Sequence, residues 1–140
     1  MMRYLSFFLF FTLLNCTTLK KDIAKKTILF KVERTQCLGK CPAYKLVIFN
    51  DGTVSYNGLK NVNRLGKENH TLNSEEFISI KNQLKKLPFS SYLLIYGNHI
   101  RDLAKRKFIY KGKEIKMNNG MGPKSLVDFL NQLEKSFSIL

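Results

Sequence analysis

No stretch of this sequence is apolar for long enough to cross a bilayer as a helix. Its most apolar run, Leu5 to Leu14, is ten residues long, against the roughly 20 that a spanning helix needs. Acidic residues are scarce: ten Asp and Glu stand against 24 Lys and Arg, for a net charge of +14. Arginine supplies only five of those cations, and a lysine-heavy excess suits general attraction to an anionic surface better than specific nucleic-acid reading. There is no glycine-rich phosphate loop, nucleophile elbow, useful carboxylate pair or zinc-ligand spacing. Those absences remove the commonest sequence signatures of nucleotide, acyl-transfer and zinc chemistry. Histidine occurs only as His70 and His99; neither belongs to a recognisable ligand set, and both are expected in loops.

What is present is an ordinary globular composition, 44% hydrophobic and 24% charged, on a length that suits one domain. The start differs from the rest. Met1-Met2-Arg3-Tyr4 is short and positive, the apolar run follows, and Leu13-Leu14-Asn15-Cys16 resembles a lipobox, where bacteria attach lipid to a cysteine and cleave before it. Asn15 departs from the small residue usual there. The pattern predicts a leader over residues 1–15, a lysine-containing tether over 16–26 and a single domain over 27–140. Two or more acyl chains on Cys16 would anchor stably, each buried methylene contributing about 0.8 kcal/mol. Thr17 in place of aspartate favours an outer-membrane address facing the periplasm. Three cysteines is an odd number for an exported chain; with Cys16 lipidated, Cys37 and Cys41 remain as a pair, and an oxidising compartment permits a disulfide between them.

Along the mature chain, Ile28, Phe30 and Val32 share one face of a first strand. Ala43 to Phe49 reads as a second, and Asp51-Gly52 behind it is a hairpin signal. A two-residue turn there pairs Phe49 with Val54 and Val47 with Tyr56, putting all four on one face. A fourth strand is expected before Leu72, with an irregularity near Gly66. Asn73-Ser74-Glu75-Glu76 resembles a capping box ahead of a helix carrying Phe77, Ile80, Leu84 and Leu87, which Pro88 stops. Phe89 to Tyr96 is apolar without a clear period. Lys107 to Met117 reads as a second hairpin around Gly112. Pro123 at a first helical position opens a final helix with Leu126, Phe129, Leu130, Leu133 and Phe137 on one stripe. Strands, helix, strands, helix fits an α+β fold: a hairpin-rich antiparallel sheet covered on one face by two helices.

The segment Arg34-Thr35-Gln36-Cys37-Leu38-Gly39-Lys40-Cys41-Pro42-Ala43-Tyr44, followed by a strand, Asp51-Gly52 and Tyr56-Asn57-Gly58, resembles domain-of-unknown-function family 6438. The resemblance runs from about Ile28 to the C-terminus, with Asp102 as a match to an acidic position. It implies a compact α+β domain in an exported setting, and no activity. Taken physically, the Cys-x-x-x-Cys loop has three uses. It can close as a structural disulfide, with Gly39 giving the freedom a tight ring needs and a gain of roughly 2 kcal/mol. It can exchange thiols, or it can bind a soft metal such as Cu(I) through Cys37 and Cys41. Cys-x-x-x-Cys-Pro is also similar to the loop of Sco-type copper chaperones, which add a distant histidine on a thioredoxin-like fold; a hairpin directly after Pro42 does not fit that fold.

The remaining candidates have plainer uses. Arg34 and Asp102 suit a buried ion pair or a pocket wall, Tyr44 and Tyr56 suit packing, and Lys105-Arg106-Lys107 suits a solvated strand edge. The expectation is therefore a lipid-anchored envelope protein acting as a binding or structural module. No catalytic residue, cofactor or resident metal is assigned. Its partners are a membrane through the lipid and an envelope protein or anionic polymer rather than a specific nucleic acid. Thiol redox or copper binding at Cys37 and Cys41 is the alternative.

Overall fold

The computed structural model describes residues 26–97, 103–118 and 120–140. Its strands are β1 (Ile28–Arg34), β2 (Ala43–Phe49), β3 (Thr53–Lys60), β4 (Gly66–Thr71), β5 (Ile95–Tyr96), β6 (Lys105–Tyr110) and β7 (Lys113–Asn118). Helix α1 (Ser74–Lys86) follows β4, a short 3-10 turn at Phe89–Ser91 precedes β5, and α2 (Lys124–Ser136) comes last. The fold is α+β, as the sequence suggests.

All seven strands lie in one sheet in the order β4-β3-β2-β1-β6-β7-β5. Neighbours are antiparallel except β5, which runs parallel to β7. The sheet is thus mixed rather than wholly antiparallel. The apolar stretch after Pro88 contributes β5, which takes the slot beyond β7 at the edge of the sheet.

The first hairpin turns where Asp51-Gly52 says it does, in a different register. Gly52 N–H donates to Phe49 O at 3.1 Å, Thr53 N–H donates to Asp51 Oδ1 at 2.9 Å, and Gly52 has φ +80°. This is a three-residue loop closed by a left-handed residue. It pairs Ile48 with Val54 and Leu46 with Tyr56. A shift of one residue moves every side chain to the other face. The buried set is therefore Tyr44, Leu46, Ile48, Val54 and Tyr56, while Val47 and Phe49 lie half-buried on the opposite side. The second hairpin closes through Lys111 and Gly112, both at positive φ, the pattern of a type I′ turn.

Helix α1 begins with the expected reciprocal cap: Glu76 N–H donates to Asn73 Oδ1 at 2.9 Å and Asn73 N–H to Glu76 Oε2 at 3.0 Å. Pro123 is the N-cap of α2, one position before the first helical residue where the sequence placed it. Alternate residues of β1, β2, β3, β6 and β7 join Ile80 and Leu84 of α1 and Leu126, Phe129, Leu130 and Leu133 of α2 in one buried cluster. At its centre, Phe30, Phe108 and Phe129 have ring centroids 5.7–6.0 Å apart. Ile28 does not join them: the ladder shifts between Ile28 and Phe30, and Ile28 is exposed. Among the described residues, no helix is long and apolar enough to cross a membrane.

Candidate functional site

The segment that stands out in the sequence lies at one end of β1 and β2. Arg34 ends β1 on the same parity as Phe30 and Val32, so it points to the buried side. Tyr44 is its cross-strand partner on β2 and Arg106 its partner on β6. Three adjacent strands therefore present Tyr44, Arg34 and Arg106 in one row under α2, which lowers Glu134 onto them.

Glu134 Oε1 accepts from the Tyr44 hydroxyl at 2.5 Å and from Arg34 Nη1 at 3.2 Å. Its Oε2 accepts from Arg106 Nη2 at 2.8 Å and from Arg34 Nη1 at 3.3 Å. Arg106 Nη1 also donates to Asn131 Oδ1 at 2.9 Å. The side chains of Arg34, Arg106 and Glu134 are 7%, 8% and 3% exposed. Burial pushes the Tyr44 hydroxyl well above the usual tyrosine range, with the adjacent Glu134 charge acting in the same direction; it stays protonated and remains a donor. Burial also lowers Arg106, against the pull of Glu134. A carboxylate offers about four lone-pair sites, and all four are taken. Glu134 therefore has no free lone pair to offer a substrate. What the arrangement does well is lock a helix to three strands.

Other residues of the segment are similarly engaged. Thr35 extends the β1–β6 ladder: its N–H donates to Lys105 O at 2.9 Å, and Lys105 N–H donates to Thr35 Oγ1 at 2.9 Å. Cys37 and Cys41 are joined by a disulfide with their Cα atoms 5.6 Å apart. Asn61 Nδ2 donates to Cys41 O at 3.1 Å, fastening that ring to the end of β3. Gly39 is not required for the ring in the way the sequence suggests. It does not sit in the left-handed region, and a Cβ built on it meets only Cys37 Sγ at an ordinary 3.8 Å. Gly58 is the constrained glycine: a Cβ there would lie 1.9 Å from Arg64 O. That same carbonyl accepts from the Tyr56 hydroxyl at 3.0 Å, and Arg64 Nη2 donates to Phe137 O at 2.6 Å, tying the loop after β3 to the end of α2.

Of the candidate site residues, Arg34 and Tyr44 converge on one carboxylate, and Cys37 and Cys41 are bonded. Cys16, His99 and Asp102 lie outside the described residues. Glu134 and Arg106 were missed. Arg106 is no solvated edge residue: β6 is an interior strand between β1 and β7, and Arg106 is buried. Its signal was parity with Phe108. That of Glu134 was a place four residues after Leu130 on the apolar stripe. His70 lies on strand β4 rather than in a loop, paired with Val54. Its ring is 5.5 Å from that of Phe137, and both line a cavity of about 300 Å³ together with Ile80, Phe129 and Leu133. Among the described residues, no three His, Cys, Asp or Glu side chains are grouped to hold a metal ion.

A family model described as "Domain of unknown function (DUF6438)" matches residues 28–137. No curated protein and no solved structure matches the chain.

Proposed function

We propose that this chain, which belongs to the family matched over residues 28–137, is an exported module carried on lipid at Cys16 that works by binding rather than by catalysis. The observation that carries this reading is the structural engagement of Arg34, Thr35, Tyr44, Tyr56 and the two cysteines. Arg34 and Tyr44 hold Glu134, Thr35 holds Lys105, the cysteines hold each other and Tyr56 holds the Arg64 carbonyl. The disulfide supports an oxidising compartment and leaves Cys16 as the third thiol, available for acylation. We read residues 1–15 as the leader, 16–26 as the tether and 27–140 as the domain, facing the periplasm from the outer membrane. We also read α1 and α2 as lying on one side of the sheet, a reading supported by their shared buried cluster. The partner class is an anionic polymer or another protein of the envelope.

Membrane fractionation of the Cys16→Ser variant tests this. The native chain is expected to stay with membranes through a high-salt wash, and the variant to leave them. Retention of the variant would overturn the lipid anchor. A second reading, thiol exchange or Cu(I) binding at Cys37 and Cys41, draws on the partial exposure of both residues. It requires the bridge to open under glutathione-like reductants.

A further inference from the structure

The residues of opposite parity to the core form a basic surface that the buried network does not involve. Strand register places six of them in one row across the sheet: Lys67 on β4, Asn57 on β3, Lys45 on β2, Glu33 on β1, Lys107 on β6 and Lys116 on β7. Five strand spacings of about 4.8 Å make the row roughly 24 Å long. Four lysines and one glutamate leave it a net three positive charges. Lys31 and Lys105 share the face and flank the row.

Glu33 sits at the middle with Lys31, Lys107 and Lys45 at 2.7, 3.7 and 4.0 Å. One carboxylate among three ammonium groups cannot neutralise them; the cluster keeps an excess of two positive charges. The hydrogen bond from Lys31 and the surrounding lysines hold the Glu33 carboxyl below its usual range. Elsewhere in the row Lys116 faces Glu114 at 3.1 Å. Lys45 and Lys116 remain about half exposed, at 54% and 51%.

The row is single-file, and a sheet twists by about 20–25° per strand. Over five steps the row winds through roughly 100°. A flat bilayer would meet only part of such a line, whereas a flexible chain follows it. Lysine ammonium groups are solvated point charges without the planar fork that reads one phosphate geometry, which suits repeated anionic groups of variable spacing. We propose that the Lys67–Lys45–Lys107–Lys116 row is a docking track for an extended, flexible, linear polyanion of the envelope. This deepens the binding-module reading above and rests on it.

The test is titration of the native, acylated chain in detergent with linear polyphosphate and with polyglutamate, and, after detergent removal, with phosphatidylglycerol vesicles as a planar comparison. Lys45→Gln/Lys107→Gln removes two charges from the row. Lys85→Gln/Lys86→Gln removes two from the end of α1. The row variant is expected to bind the polyanions about tenfold more weakly, and the α1 variant to bind like the native chain. Equal loss in both variants, or binding confined to the vesicles, overturns the track. Because Glu33 loses partners in the row variant, acetylation rates of the unsubstituted protein give an independent readout. Polyphosphate should slow labelling of Lys45, Lys67 and Lys116 and leave Lys85 and Lys86 unchanged; uniform slowing overturns the proposal. Intact mass recorded on the same sample reports the acyl group, so failure of the anchor is seen separately from failure of the track.

Discussion

Substituting Glu134 with glutamine keeps the shape of the side chain and removes the only carboxylate on which Arg34, Arg106 and Tyr44 converge among the described residues. Glu134 is 3% exposed and accepts four hydrogen bonds. The amide that replaces it has a single acceptor oxygen and turns two donors toward two guanidinium groups. Removing one partner of a buried ion pair costs about 3–5 kcal/mol, a large part of the about 5–15 kcal/mol that holds a typical domain folded. With a urea slope of about 1–3 kcal/mol per molar, the unfolding midpoint of Glu134→Gln is expected to fall by roughly 2 M. The assay is equilibrium urea unfolding followed by circular dichroism with the disulfide intact. Asp128→Asn, which removes the exposed i,i+4 partner of Lys124, should leave the midpoint where it was. Replacing the charges together, as Arg34→Met/Arg106→Met/Glu134→Leu, should cost less than Glu134→Gln alone, because no buried charge in the network is left without its partner. A midpoint for Glu134→Gln within about 0.3 M of the native one would refute the idea that this network locks α2 to the sheet.

Three further outcomes follow from the same geometry. Tyr44 titrates above its ordinary value of 10.0 when folded, so its contribution is full below pH 10 and is lost as pH rises past the unfolded value; stability should drop by about 1.4 kcal/mol per pH unit there, and Tyr44→Phe should remove that component from a urea series at pH 9 to 11. Gly58→Ala should lower the thermal midpoint by several degrees because its Cβ meets the Arg64 carbonyl, whereas Gly39→Ala, whose Cβ makes only an ordinary contact with Cys37 Sγ, should shift it by under about two degrees. Reducing the Cys37–Cys41 bridge should cost roughly 2 kcal/mol without loss of far-ultraviolet signal, measured by urea unfolding with and without reductant.

The sequence made the elements legible where one local rule sufficed. Asn73 and Glu76 announce the start of α1 because both halves of the cap lie within four residues, and Gly112 announces the second hairpin. Register was harder. Asp51-Gly52 suits a two-residue turn and a three-residue loop alike, and the choice was settled by which side of β2 finds the core. Lys45 on the parity of Val47 and Phe49 pointed to the answer, since Tyr44, Leu46 and Ile48 carry no charge. Arg34 was legible as one half of a buried ion pair, with Asp102 rather than Glu134 as the expected acid, and Tyr44 as a packing residue; that the two face each other across β1 and β2 was not. Nor was their common partner, because Glu134 stands 90 residues or more away and a single acid on an amphipathic helix gives no sign of facing two arginines. Arg106 was misplaced for a related reason: Lys105-Arg106-Lys107 reads as a charged run until β6 is known to lie inside the sheet. The parallel pairing of β5 has no local signature in two residues.

The account depends on export followed by acylation of one cysteine and oxidation of the other two. Intact mass spectrometry of the native, unreduced protein addresses both events in one spectrum. The predicted species begins at Cys16, carries the added mass of its acyl chains, and is two hydrogens lighter than the dithiol at Cys37 and Cys41. A species that begins at Met1 with three free thiols would contradict the account.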